Sequence, residues 1–247
     1  MDYKTYWDKT NTPFLILHWW WWSSESWKQV VSMLKKYFFV IVLDYPCGSK
    51  LVNCDKIYTL DDYVDLVKKL VDKLSLKDFI LFWHSNGGAI ATKFITKYPN
   101  LPVKKIILNN SAWIRKDKKR NFKRKLFLCI SKIIKPIFSL PWMWKIRRLF
   151  YRFIWWQDYL DAEQNPNKKQ TYLNMINSDL QNIFPEIKKE TLLIWWENDT
   201  YTPLSDGKII NNFIKNSKLV VIPNVKHWIH LQNPDELVQV ILDNTIV

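Results

Sequence analysis

Leu81-Phe82-Trp83-His84-Ser85-Asn86-Gly87-Gly88 is the stretch on which the reading of this chain turns. An apolar run at 79–83 enters a short polar turn, and an amphipathic pattern at 88–98 leaves it at once. Four to eight apolar residues of β-branched and aromatic character read as a buried strand, and the 3.6-residue period that follows reads as a helix. A turn this sharp pushes the Ser85 Oγ outward. It also places the backbone N–H of Asn86 at a helix N-terminus, where negative charge is welcome. Glycine is wanted two residues to either side, where strand and helix backbones crowd. Gly87 meets that need, whereas Trp83 stands at the preceding position.

Outward from this turn the alternation repeats. Strand-length apolar runs occur at 13–18, 38–44, 79–83, 105–109, 191–196 and 218–223. Helical patterns lie at 26–36, 60–74, 88–98 and 235–242, the second opening at Thr59 with Asp61 and Asp62 in its first turn. Acids there complement the helix dipole. Strands alternating with helices predict an α/β chain with a mostly parallel sheet covered on both faces. The alternation breaks between about 111 and 182. We therefore assign residues 1–110 and 171–247 to the core and 111–170 to an inserted helical cap, with 165–170 as a polar loop.

Two more pieces fall on the ends of later strands. Trp196-Glu197-Asn198-Asp199-Thr200-Tyr201-Thr202-Pro203 follows the run at 191–196, and Pro223-Asn224-Val225-Lys226-His227 follows the last one. Serine, acid and histidine, each after a separate parallel strand, converge on one sheet edge. In that arrangement Ser85 is the nucleophile, His227 takes its proton, and Asp199 orients the imidazole. Glu197 competes with Asp199, and His230 competes with His227; the spacing to Pro203 and the strand-end position favour Asp199 and His227. His84 reads as a packing residue. Upstream, His18-Trp19-Trp20-Trp21-Trp22-Ser23-Ser24 follows the first core strand, where a second oxyanion donor belongs. The backbone N–H groups of Trp20 and Asn86 form the expected oxyanion hole, each such donor being worth about 10²–10³ in turnover. His18 and His230 are candidate pocket residues.

These four ordered pieces resemble the α/β-hydrolase superfamily of serine hydrolases over nearly the whole chain. The matches are 18–22 (family pattern H-G-x-G-G), 83–88 (G-H-S-x-G-G), 196–203 (G-x-x-D-x-x-x-P) and His227. The resemblance implies a capped, lipase- or esterase-like enzyme that cleaves an ester-like carbonyl through an acyl-enzyme on Ser85. Acyl transfer or carbon–carbon bond hydrolysis by the same triad is an alternative, as is a catalytically silent fold member that binds a small molecule or membrane. A serine nucleophile argues against a dehalogenase, and no metal or organic cofactor is implied. Two departures stand out. The segment Asp44-Tyr45-Pro46-Cys47-Gly48-Ser49 replaces the family's D-x-P-G-x-G-x-S, and only 12 residues precede the first core strand, which implies that one edge strand of the fuller fold is missing.

The third departure is chemical. The chain has 15 Trp and 4 Gly in 247 residues, and Trp stands at family glycine positions 19, 21, 22, 83 and 196. An average composition of about 7% Gly would give several times more glycine. Trp20, Trp27 and Trp195, in contrast, fall where the family carries an aromatic. We read the five as glycines encoded by UGA, a codon that some bacterial lineages decode as glycine and other codes as tryptophan. The excess of 31 Lys over 6 Arg suits the AT-rich gene this requires.

Bulk properties narrow the rest. At 48% hydrophobic and 24% charged the chain is globular in composition, neither disordered nor collagenous. Cys47, Cys54 and Cys129 form an odd set without metal-ligand spacing, which suits a reducing compartment better than a disulfide scaffold. Residues 1–12 do not read as a signal peptide, and no run reaches the 18 or so apolar residues of a membrane span. A cytoplasmic location follows as the expectation. The net charge of +14 is concentrated at 115–152, where fourteen Lys/Arg face a single acid, Asp117. The first reading of this charge is a solvated cap surface; interleaved with Phe127, Ile130, Ile133 and Ile137, the pattern also suits a small-molecule acyl substrate or peripheral contact with anionic membrane. Nucleic acid is not expected, since no binding motif accompanies the charge.

Overall fold

The computed structural model describes residues 2–6, 8–18, 23–49, 51–85, 87–111, 162–163, 165–178, 180–200, 202–224 and 229–246. Seven strands form one sheet: β1 (Asp2–Tyr6), β2 (Pro13–Leu17), β3 (Phe39–Asp44), β4 (Phe79–His84), β5 (Val103–Asn109), β6 (Thr191–Trp196) and β7 (Ser217–Ile222). Their spatial order is β1-β3-β2-β4-β5-β6-β7, and every neighbouring pair is parallel except β1 with β3. All six core strands read from the sequence are present. The antiparallel edge strand β1 was not anticipated, because the alternation of Asp2, Lys4 and Thr5 with Tyr3 and Tyr6 belongs to a half-exposed edge and not to a core run.

Strands β3, β4 and β6 are buried at every residue, as parallel strands covered on both faces must be. Successive side chains alternate between two apolar layers. Leu15, Leu17, Ile41, Leu43, Leu81, Trp83, Leu193 and Trp195 face one layer. Phe14, Ile16, Val40, Val42, Ile80, Phe82, Ile194 and Trp196 face the other. Helices α2 (Leu60–Lys73), α3 (Gly87–Lys97) and α5 (Leu204–Phe213) close the first layer; α1 (Lys28–Leu34) and the C-terminal helix α6 (Pro234–Asp243) close the second. Thr59 and Asp62 form a reciprocal capping box at the start of α2, each side chain accepting the other's backbone N–H.

The cap expected at 111–170 lies almost wholly outside the described residues. Its C-terminal end is visible as α4 (Pro166–Ile176), which replaces the polar loop expected at 165–170. The reason is local: Asn165 caps the N–H groups of Asn167 and Lys168, and Pro166 sits at the first helical position, where its missing N–H costs nothing. One face of α4 is spent on the 54–58 loop. Asn167 Nδ2 donates to the Asp55 carbonyl (3.1 Å), Thr171 Oγ1 accepts the Tyr58 N–H (2.9 Å), and Asn174 Nδ2 donates to the Tyr58 carbonyl (3.0 Å). Cys47 and Cys54 in the same loop region are joined as a disulfide, where the odd cysteine set suited a reducing compartment; a seven-residue separation clamps one loop and does not build a scaffold. Among the described residues no helix is long and apolar enough to cross a membrane.

Candidate active site

The parallel strands deliver their C-terminal ends to one edge of the sheet, the usual place for a ligand crevice in such sheets. Ser85 emerges there between β4 and α3 with φ 58°, the left-handed region that a β-substituted residue enters only at a cost of about 1–2 kcal/mol. The turn is held by the Ser85 N–H on the Asn109 carbonyl (2.9 Å) and by the Gly88 N–H on the Ser85 carbonyl (3.0 Å). Glycine is required at 88, because a Cβ there would lie 2.5 Å from the Ser111 Cβ. The helix therefore starts against the strand ends without a spacer, and Ser85 is left 4% exposed.

Asp199 lies on the loop past β6 and is buried. Its Oδ1 accepts the Thr202 N–H (3.0 Å), and its Oδ2 accepts the Thr202 hydroxyl (2.8 Å) and the Asn110 side-chain N–H. Three donors on one buried carboxylate satisfy its charge where water cannot. Glu197, its competitor in the sequence, is exposed and accepts the Asn224 N–H at 3.3 Å. Asn110, at φ 41°, was not singled out from sequence. The available signal was its place: Asn109-Asn110-Ser111 are consecutive polar residues at the end of a strand on the catalytic edge.

His18, at the end of β2, is fully buried. Its Nε2 lies 3.0 Å from Asp44 Oδ1, and its ring stacks on Tyr45 with centroids 5.2 Å apart. Asp44 Oδ1 also accepts the Ser24 N–H (3.0 Å) and the Ser49 hydroxyl (2.8 Å), so the two ends of the departing 44–49 motif still meet. Burial pushes the Asp44 carboxyl up, but the bonds from His18, Ser24 and Ser49 outweigh it and hold the group at about 2. Burial pushes the Tyr45 phenol well above its ordinary value, and it donates to the His18 carbonyl. This network fixes the chain on both sides of 19–22, the segment expected to supply an oxyanion donor. His230 is fully buried and stacks on Trp27 with centroids 4.6 Å apart and rings 9° from parallel; His84 lies edge-on to both.

Trp20, Asn86 and His227 lie outside the described residues, as does the basic stretch 115–152. The structure thus brings Ser85 and Asp199 to one sheet edge, at the ends of β4 and β6 with β5 between them. Among the described residues no group of three or more His, Cys, Asp or Glu is placed to hold a metal ion.

This chain is similar to a 2-hydroxy-6-oxononadienedioate/2-hydroxy-6-oxononatrienedioate hydrolase of Pseudomonas putida, at 26% identity over 231 residues, covering 83% of this chain and 76% of the relative. Its backbone matches that of MenH from S. aureus with a TM-score of 0.71, at 23% identity over 98% of this chain and 96% of the other. It also matches a bacterial membrane phospholipase A with a TM-score of 0.74, at 18% identity over 98% of this chain and 80% of the other. Likeness at these identities shows the fold; the profile of the alpha/beta hydrolase family spans residues 14–240. With that match over a seven-stranded, mostly parallel sheet and a left-handed serine between strand and helix, the chain belongs to the alpha/beta hydrolase family.

Proposed function

We propose that the chain is a serine hydrolase that cleaves an ester-like carbonyl substrate through an acyl-enzyme. Ser85 Oγ attacks the carbonyl carbon while His227 takes its proton, and Asp199 orients and stabilises the resulting imidazolium. The Trp20 and Asn86 N–H groups hold the oxyanion. Collapse of the tetrahedral intermediate expels the leaving group with the proton from His227, and water attacks the acyl-enzyme by the same route in reverse. The observation that carries this reading is Ser85 itself, held at φ 58° on the crevice edge. Strain at a non-glycine residue persists only where its surroundings enforce it.

A second reading is carbon–carbon bond hydrolysis by the same three residues, the bond broken being the one between the attacked carbonyl and a carbon leaving group. The Pseudomonas putida relative, named as a 2-hydroxy-6-oxononadienedioate hydrolase, favours it. A fluorophosphonate probe tests the shared chemistry: label on the parent chain and none on Ser85→Ala supports it, and no label on the parent supports a silent binding protein. Turnover of p-nitrophenyl esters against a vinylogous 1,5-diketone acid then separates the two readings.

The glycine reading belongs to the same proposal. Trp83, Trp195 and Trp196 are all fully buried, but only Trp195 is provided for. Its Nε1 donates to the Thr202 carbonyl at 2.8 Å, and its ring lies where a Cβ on Gly207 would be 2.6 Å away. The indole N–H groups of Trp83 and Trp196 have no acceptor among the described residues. Trp27 shares that lack but stacks on His230. A buried donor without an acceptor costs about 1–3 kcal/mol, so Trp83 and Trp196 are poor fits at the motif positions where the family carries glycine.

A further inference from the structure

We infer that Asn110 is a positioning residue for the acid of the triad, an inference that rests on the proposed role of Asp199. The backbone N–H and both ends of the side-chain amide of Asn110 are engaged. Its backbone N–H donates to the Ile194 carbonyl (2.9 Å), and its Oδ1 accepts the Trp196 N–H (3.1 Å). Its Nδ2 donates to Asp199 Oδ2 and to Thr202 Oγ1 (3.3 Å). One residue at the end of β5 therefore holds both the last turn of backbone in β6 and the carboxylate that follows it. The residue is fully buried, so no water substitutes for these bonds.

The chemistry narrows the side chain to a carboxamide. The two ends of the group do opposite things, accepting from one backbone and donating to a carboxylate, and Asp offers no donor once ionised. Asn also tolerates the left-handed backbone found here better than most residues. A carboxylate accepts about four hydrogen bonds. The donors from Asn110 and Thr202 fill three of these positions and so set the rotation of the group.

Three variants in the full chain test this, with Asp199→Asn and Ser85→Ala as references and p-nitrophenyl butyrate as substrate. Asp199→Asn is expected to lower kcat by about 10⁴. Asn110→Gly relieves the backbone but deletes the amide. We expect kcat to fall at least tenfold with KM within twofold, and the acid limb of kcat/KM to move up by about half a pH unit as the carboxylate loses a donor and holds the imidazolium more strongly. Asn110→Asp sets two carboxylates together and is expected to lose activity and melting temperature as pH rises through the carboxylate range. In Asn110→Asp/Asp199→Asn the carboxylate sits at 110 and a neutral amide at 199, so no more activity than in Asp199→Asn is expected.

Wild-type kcat and pH profile in Asn110→Gly would mean that Asn110 serves only its turn, and would overturn the inference. A double variant at least tenfold more active than Asp199→Asn, or no pH-dependent melting in Asn110→Asp, would overturn it as well. Full activity in Ser85→Ala or Asp199→Asn removes the triad reading and this inference with it, whereas loss in both with an unmoved Asn110→Gly removes the inference alone.

Discussion

Replacing Trp83 or Trp196 by glycine is expected to destabilise the protein clearly less than replacing Trp195. All three tryptophans at 83, 195 and 196 are fully buried, so burial alone predicts equal losses. Truncating such a residue costs about 3–5 kcal/mol in lost contacts and cavity, and glycine in a strand adds about 0.5–1 kcal/mol. That sum of about 4–6 kcal/mol is the expectation for Trp195→Gly, whose N–H is bonded to Thr202 and whose ring is seated on Gly207. At 83 and 196 the same loss is partly offset. Each site sheds an indole donor without an acceptor among the described residues, worth about 1–3 kcal/mol, which leaves a net loss of about 1–5 kcal/mol. Urea unfolding at matched pH, followed by circular dichroism so that loss of the fluorophore does not matter, gives the loss for each variant. Losses at 83 and 196 as large as that at 195 would refute the reasoning and establish tryptophan at both positions. The gene offers an independent check, with UGA expected at codons 19, 21, 22, 83 and 196 and UGG at 20, 27 and 195.

Asp44 is held at about 2, below its unfolded value, so its contribution to stability is present above the ordinary carboxylate range and lost as pH falls through that range toward 2. The shift is worth at most about 2 kcal/mol. Urea midpoints between pH 2.5 and 6 are therefore expected to fall more steeply for the parent than for Asp44→Asn, and a difference independent of pH would contradict the network described. The stretch 115–152, with fourteen basic residues and one acid, is expected to bind vesicles of phosphatidylserine at least tenfold more tightly than phosphatidylcholine at low salt. The preference should vanish at 0.5 M salt by screening, on the order of a few ångströms of Debye length; equal binding at low salt would dismiss an interfacial role.

Much of the core could be read because its signals are local. The six apolar runs are strand-length, and each became a strand of the parallel sheet. Ser85 and Asp199 could be chosen because strand ends in such sheets share one edge, and burial then separates Asp199 from the exposed Glu197. Edge strand β1 was harder to see, because half-exposed pairing on β3 leaves no apolar period in its own sequence. Helix α4 was passed over because three Asn and Thr side chains that dock it on the 54–58 loop look, in one dimension, like loop composition.

By itself, the order of apolar runs and turns determined a wound α/β sheet, and it put Ser85 and Asp199, the proposed nucleophile and acid, on strand ends. Periodicity and backbone sterics are properties of neighbouring residues, and they are written along the chain. Tertiary structure alone decided which distant polar groups meet: Asn110 on Asp199, His18 and Ser49 on Asp44, and Cys47 with Cys54. The same holds for the three tryptophans, identical in composition and burial, of which only Trp195 finds an acceptor. Hydrogen bonds are short and directional, and whether a buried donor is satisfied depends on atoms that the sequence places far away and only the folded sheet brings within 3 Å.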